Sequence, residues 1–157
     1  LGTTLDELGG SEFLRLFSQL GENVPKVRRE DAMSLYQKVS RAISRGMLES
    51  SHDLSDGGLA VALVESTFGA NLGMQIAIPQ TDLSAQAFLF SESHSRFAVS
   101  IRPENRQSFE NHFHGNFTFL GRVTKAPRVI VNRNGKPLMD VPQAQLHSSW
   151  RKGLDLG

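Results

Sequence analysis

The stretch Ser51-His52-Asp53-Leu54-Ser55-Asp56-Gly57-Gly58-Leu59, followed by the apolar run from Ala60 to Val64, carries the residues best suited to chemistry in this sequence. Acidic side chains and paired glycines lie where a strand gives way to a helix. Glycine lets the backbone turn with positive φ or approach a ligand closely, and the first N–H groups of the following helix have no partner inside it. Such an end attracts anions, so Asp53, Ser55, Asp56, Gly57 and Gly58 form a candidate phosphate or carboxylate site. A tight strand-to-helix connection capped by Ser55 or Asp56 accounts for the same residues. A second polar run, Ser91-Glu92-Ser93-His94-Ser95-Arg96, interrupts an aromatic cluster. Ser91, Glu92, Ser93 and Arg96 join the candidate set. Arg96 has two roles open to it: holding a phosphate, or pairing with Glu92 or Asp56 to fix the turn.

Other chemistries fit poorly. His52, Asp53 and Asp56 have the types of metal ligands, but His94, His112, His114 and His147 follow no zinc spacing. Gly57-Gly58 lacks the Gly-Lys-Ser/Thr of a P-loop, and both the third glycine and the acidic ribose ligand of a dinucleotide fingerprint. No Gly-x-Ser-x-Gly is present for a serine hydrolase. With no cysteine in the chain, disulfides, thiolate metal sites and a cysteine nucleophile are excluded, which suits a reducing, cytoplasmic setting. We therefore assign no catalytic residue and no metal ligand from the sequence.

The elements that must position these residues follow from periodicity. Ser11 is placed to cap a short helix with Phe13, Leu14 and Phe17, ended by Gly21. Asp31 is placed to cap a longer one whose apolar stripe is Ala32, Leu35, Tyr36, Val39, Ala42, Ile43 and Met47. Leu59–Phe68 is apolar almost all round and so reads as a buried helix. Gly73–Ile78 alternates as a strand, Leu83–Leu89 is ambiguous between helix and loop, and Phe97, Val99 and Ile101 alternate again. Pro103 opens a helix with Phe109 and Phe113 inward. Phe117–Val123 and Arg128–Val131 read as strands, and Asn134-Gly135 is a hairpin turn leading to a return strand with Met139 and Val141. Pro142 opens a last helix with Leu146 and Trp150 inward, closed by Gly153. This order predicts an α/β or α+β sandwich, a mixed β-sheet packed with helices.

At 157 residues the chain fits one domain spanning residues 1–157. Hydrophobic residues at 39% and charged residues at 21% describe an ordinary globular chain. A net charge of +1, from 17 basic and 16 acidic residues, gives no field for nucleic acid or an anionic membrane. No apolar run is long enough to span a bilayer. The start at Leu1 leads us to expect a fragment of a longer, multidomain subunit.

Three motifs are familiar together: Leu8-Gly9-Gly10-Ser11-Glu12-Phe13, His52 to Leu63, and Leu89-Phe90-Ser91-Glu92-Ser93-His94-Ser95-Arg96-Phe97. With Asp140-Val141-Pro142 and Ser149-Trp150-Arg151-Lys152-Gly153-Leu154, they resemble the C-terminal part of the small-type phosphoribosylformylglycinamidine synthase subunit. That family falls in the aminoimidazole ribonucleotide synthetase-like superfamily, and the resemblance implies its C-terminal-type α/β sandwich. It also implies a part in converting formylglycinamide ribonucleotide to the amidine with ATP, magnesium and ammonia. The implied partners are ATP-binding domains of the same subunit, a glutaminase subunit and a small accessory subunit. The family's catalytic histidine, magnesium carboxylates and most ATP contacts lie in domains not represented here, so no cofactor is assigned to these residues. By resemblance to a substrate-contacting turn in the preceding half, Ser91-Glu92-Ser93 with Arg96 keep a phosphate-binding geometry; the alternative is a scaffold domain that touches no ligand. His94 stands where proline is common, and Phe13 where tyrosine is usual.

Overall fold

The computed structural model describes residues Leu1–Lys152, which divide into two compact units. The first comprises Leu1–Ala62 and Gln86–Thr118; the second comprises Leu63–Ala85 and the described residues from Phe119 onward.

In the first unit α1 (Glu12–Arg15) is a single turn, capped by Ser11, whose hydroxyl accepts from the Leu14 N–H at 3.3 Å. It stops well before Gly21, because Ser18 already takes a left-handed conformation (φ 55°). The long helix α2 (Arg29–Ser44) buries Ala32, Leu35, Val39 and Ala42, the inner part of the expected stripe. Tyr36 and Ile43 lie on its exposed flank. Its cap position is Arg28, with no side-chain cap bond, so Asp31 falls inside the first turn, where its charge favours the positive end of the helix. Strand β1 (Ser50–Asp53) pairs antiparallel with β3 (Phe97–Ser100), matching Asp53 with Phe97. On its other edge, Phe97 exchanges backbone hydrogen bonds with Leu1. The ambiguous segment before β3 is helical, α4 (Ala85–Phe90). A 3-10 turn at Pro103–Asn105 leads into α5 (Arg106–Phe113). Leu35, Val39 and Ala42 pack with Phe109 and Phe113 to form the core of this unit.

Helix α3 (Gly58–Glu65) follows β1 and is shorter than its apolar run, breaking at Ser66 before a 3-10 turn at Phe68–Ala70. In the second unit a four-stranded mixed sheet has the order β4-β2-β5-β6. β2 (Gly73–Ile78) runs parallel to β5 (Arg128–Arg133) and antiparallel to β4 (Gly121–Thr124). Met74, Ile76 and Ile78 face inward with Val129 and Val131. β5 turns through Asn134-Gly135, both at positive φ, into β6 (Lys136–Pro142). The mixed sheet packed with helices is the predicted fold class, with further local corrections here. Phe117–Leu120 is not strand, and Phe119 is exposed. Pro142 ends β6 rather than opening α6 (Gln143–Lys152). Trp150 is not inward: it is 46% exposed, with its ring against Phe68 and its indole N–H donating to Glu65 at 2.8 Å. The expected stop at Gly153 lies outside the described residues. Among those residues no helix is long and apolar enough to cross a membrane.

Candidate functional site

The turn after β1 closes by a hydrogen bond from the Gly58 N–H to the Ser55 carbonyl at 3.0 Å. Gly57 and Gly58 both take positive φ, 76° and 63°. At Gly58 a side chain is also excluded by space, since a Cβ would lie 2.5 Å from the Ser91 carbonyl oxygen. The glycine pair thus lets the turn sit directly on the backbone of the second polar run.

Glu92 is the link between them. One of its carboxylate oxygens accepts from the Gly57 N–H at 2.8 Å and from the Glu12 N–H at 3.0 Å. The three motifs that carry the family resemblance therefore meet at one atom. The Gly57 N–H, which the sequence offers to a ligand, is donated to Glu92.

Ser91, Ser93 and Arg96 lie behind this junction and are buried. The Ser91 hydroxyl donates to the Leu5 carbonyl at 2.7 Å and accepts from the Glu7 N–H at 3.2 Å, while the Ser93 hydroxyl accepts from the Leu5 N–H at 3.2 Å. Arg96 directs Nε to the Ser93 carbonyl at 2.8 Å, Nη1 to the Thr4 hydroxyl at 3.0 Å and Nη2 to the Ser91 carbonyl. Arg96 thus braces this turn through two carbonyls and the Thr4 hydroxyl rather than through Glu92 or Asp56. Burial pushes its guanidinium down to about 10, with the charges of Glu7 and Glu92 acting in the opposite direction, so it stays cationic at neutral pH.

Glu7 is the buried partner that sequence reasoning missed. It is 3% exposed, and one oxygen accepts from Arg28 Nη2 at 2.8 Å while the other, buried, has no hydrogen-bond partner. Burial raises its pKa, and the hydrogen bond and positive charge of Arg28 act against that, leaving the carboxyl below its ordinary range. Nothing in Asp6-Glu7-Leu8 marks the position; the only signal was the adjoining Leu-Gly-Gly-Ser-Glu motif.

The outer rim of the turn is acidic and open. Asp53 and Asp56 are exposed, and Ser55 donates to Asp53 Oδ2 at 2.8 Å. That bond draws the Asp53 pKa down. His52 Nδ1 lies 2.6 Å from the Asp53 carbonyl, which it meets as a donor. Among the described residues no group of three or more His, Cys, Asp or Glu is arranged to hold a metal ion. A cavity of about 570 Å³ belongs to the second unit and is lined by Asn71, Gln143, Ala144, His147, Ser148, Arg151 and Lys152, none of them from the three motifs that meet at Glu92.

A family model described as AIR synthase related protein, C-terminal domain, matches residues 1–134. The chain belongs to that family. Among relatives of this AIR synthase related domain is the phosphoribosylformylglycinamidine synthase subunit PurL of Caldanaerobacter subterraneus subsp. tengcongensis, 34% identical over 157 residues. The match covers 96% of this chain and 21% of that protein. PurL of Thermoanaerobacter pseudethanolicus is also 34% identical, with the same coverage. The chain thus spans about one fifth of the length of the curated relatives it matches. Phosphoribosylformylglycinamidine synthase II of Thermotoga maritima superposes with a TM-score of 0.76 at 20% identity, over 92% of this chain and 24% of that one. T. maritima PurL complexed with FGAR gives 0.70 at 21% identity, over 79% of this chain and 22% of that one. At those identities the structures attest the shared fold.

Proposed function

We propose that this AIR synthase related domain is the C-terminal domain of a phosphoribosylformylglycinamidine synthase subunit, the ATP-dependent ligase of purine biosynthesis that converts formylglycinamide ribonucleotide to its amidine. The observation that carries the reading is 34% identity to PurL over nearly the whole chain. Solved T. maritima PurL complexes with FGAR, ATP and AMPPCP support ligand binding by that relative, and a PurLQS structure supports its assembly with other subunits. In this reading the domain is inactive alone and contributes no catalytic group. Asp53, Ser55 and Asp56 face a phosphate or nucleotide cleft as one wall, Gly57 and Gly58 shape it, and Ser91, Glu92, Ser93 and Arg96 hold it from behind. ATP and magnesium belong to neighbouring ATP-binding domains, and a glutaminase subunit and a small accessory subunit complete a cytoplasmic assembly that involves neither nucleic acid nor membrane.

The test is replacement. Exchanged for the C-terminal fifth of Caldanaerobacter PurL, this chain should restore amidine formation in the assembled enzyme, whereas alone, with formylglycinamide ribonucleotide, ATP, magnesium and ammonia, it should form none. An inactive but folded chimera, or activity of the chain by itself, overturns the proposal. A second reading, a scaffold domain without ligand contact, is favoured by the internal use of the Gly57 and Gly58 N–H groups. Titration of the chain with inorganic phosphate separates the two: shifts in the amide resonances of Asp53 to Gly58 support the wall, and silence there supports the scaffold.

A further inference from the structure

We infer that Glu92 is a positioning residue that acts as a neutralisable hydrogen-bond acceptor, welding the Asp53–Gly58 turn to the Leu8–Glu12 loop, and that it does not face ligand. The inference rests on the wall reading only in what the turn is positioned for. One oxygen of Glu92 receives both the Gly57 and the Glu12 N–H groups, 2.8 and 3.0 Å away. Gly57 lies in a turn and Glu12 opens α1, so without this oxygen each N–H would lose its acceptor at a half-buried junction. The same carboxylate fills the place an incoming anion would take at Gly57. While Glu92 holds it, the Gly57 N–H is not offered to a ligand at the turn.

An acceptor role and a charge role differ in what a glutamine does. The carbonyl oxygen of Glu92→Gln can receive both N–H groups, whereas Glu92→Ala offers nothing. Amide hydrogen exchange, read residue by residue by NMR on the 157-residue chain, distinguishes them. Glu92→Gln should leave Gly57 and Glu12 protected to within about threefold of wild type, and Glu92→Ala should expose both by at least tenfold, about the effect of losing one charge-assisted hydrogen bond. If Glu92→Ala does not fold, a folded Glu92→Gln with wild-type protection supports the inference. Loss of protection in Glu92→Gln assigns the effect to charge and overturns it, as does wild-type protection in Glu92→Ala. Titration of wild type with inorganic phosphate provides the separate control: silence at Asp53 to Gly58 removes the wall reading and leaves the exchange result to decide the clamp.

Discussion

Replacing Gly58 by alanine tests the contact on which the turn rests. Two costs add. An L-residue in the left-handed region loses about 1–2 kcal/mol, and a Cβ placed 2.5 Å from the Ser91 oxygen and 3.0 Å from the Phe90 carbonyl carbon forces the backbone apart. Overpacking of that kind costs about 1–3 kcal/mol, so the total is about 2–5 kcal/mol, against a typical domain stability of about 5–15 kcal/mol. For a chain of this size that corresponds to a fall in Tm of roughly 4–20 °C. Gly46 provides the control, because its φ is also 63° and nothing lies within 4 Å of the Cβ it would gain. Gly46→Ala should cost only the left-handed backbone, and both variants share the same gain from a less flexible unfolded chain. The difference between them therefore isolates the contact with Ser91, at about 1–3 kcal/mol. Thermal melts followed by far-UV circular dichroism measure it. Equal melting of the two variants would refute the argument that close approach, rather than φ alone, demands glycine at 58.

The remaining predictions concern the groups around that turn and the core beneath it. Arg96→Lys keeps the charge but cannot reach Ser91, Ser93 and Thr4 together, so urea unfolding should show a loss of about 2–5 kcal/mol, and a change below about 0.5 kcal/mol would remove the bracing role. The folded-state pKa of Glu7 lies below its unfolded value of 4.5, so its contribution is fully present above that value and is lost as pH falls through the folded one. Glu7→Gln should accordingly be less stable than wild type by about 1–3 kcal/mol at neutral pH, with the gap closing below about pH 4.5; a gap that widens in acid contradicts the assignment. Phe113, fully buried against Phe109 at a centroid distance of 4.7 Å, should cost about 3–5 kcal/mol when replaced by alanine, whereas Phe119→Ala, at a residue 71% exposed, should stay within about 0.5 kcal/mol in the same urea titration.

Periodicity made much of the fold legible. The stripe of α2 and the alternation of β2 are long enough for burial to impose a pattern, and Asn134-Gly135 identified the β5–β6 hairpin because few residue pairs accept two consecutive positive φ values. The six-residue α4 is too short to show a period, and Phe117–Val123 mixes an exposed Phe119 with a strand that begins only at Gly121. At the site, residue types identified the members but not their orientation. The sequence left Arg96 a phosphate or an ion pair, and its burial against the residue-91 and residue-93 carbonyls is completed by Thr4, which only tertiary packing brings to it. Glu7 was illegible for the same reason: its partners, Arg28 and the 91–93 turn, are set by tertiary packing and leave no local trace.

The two units are threaded through each other along the chain, which passes from one to the other after Ala62, again after Ala85 and again after Thr118. Neither can be excised as a single contiguous piece, and no one proteolytic cut releases either intact. During synthesis the strand β2 must wait for more than forty residues before its parallel neighbour β5 exists. A chain made only as far as β4 therefore holds β2 without the parallel neighbour it pairs with.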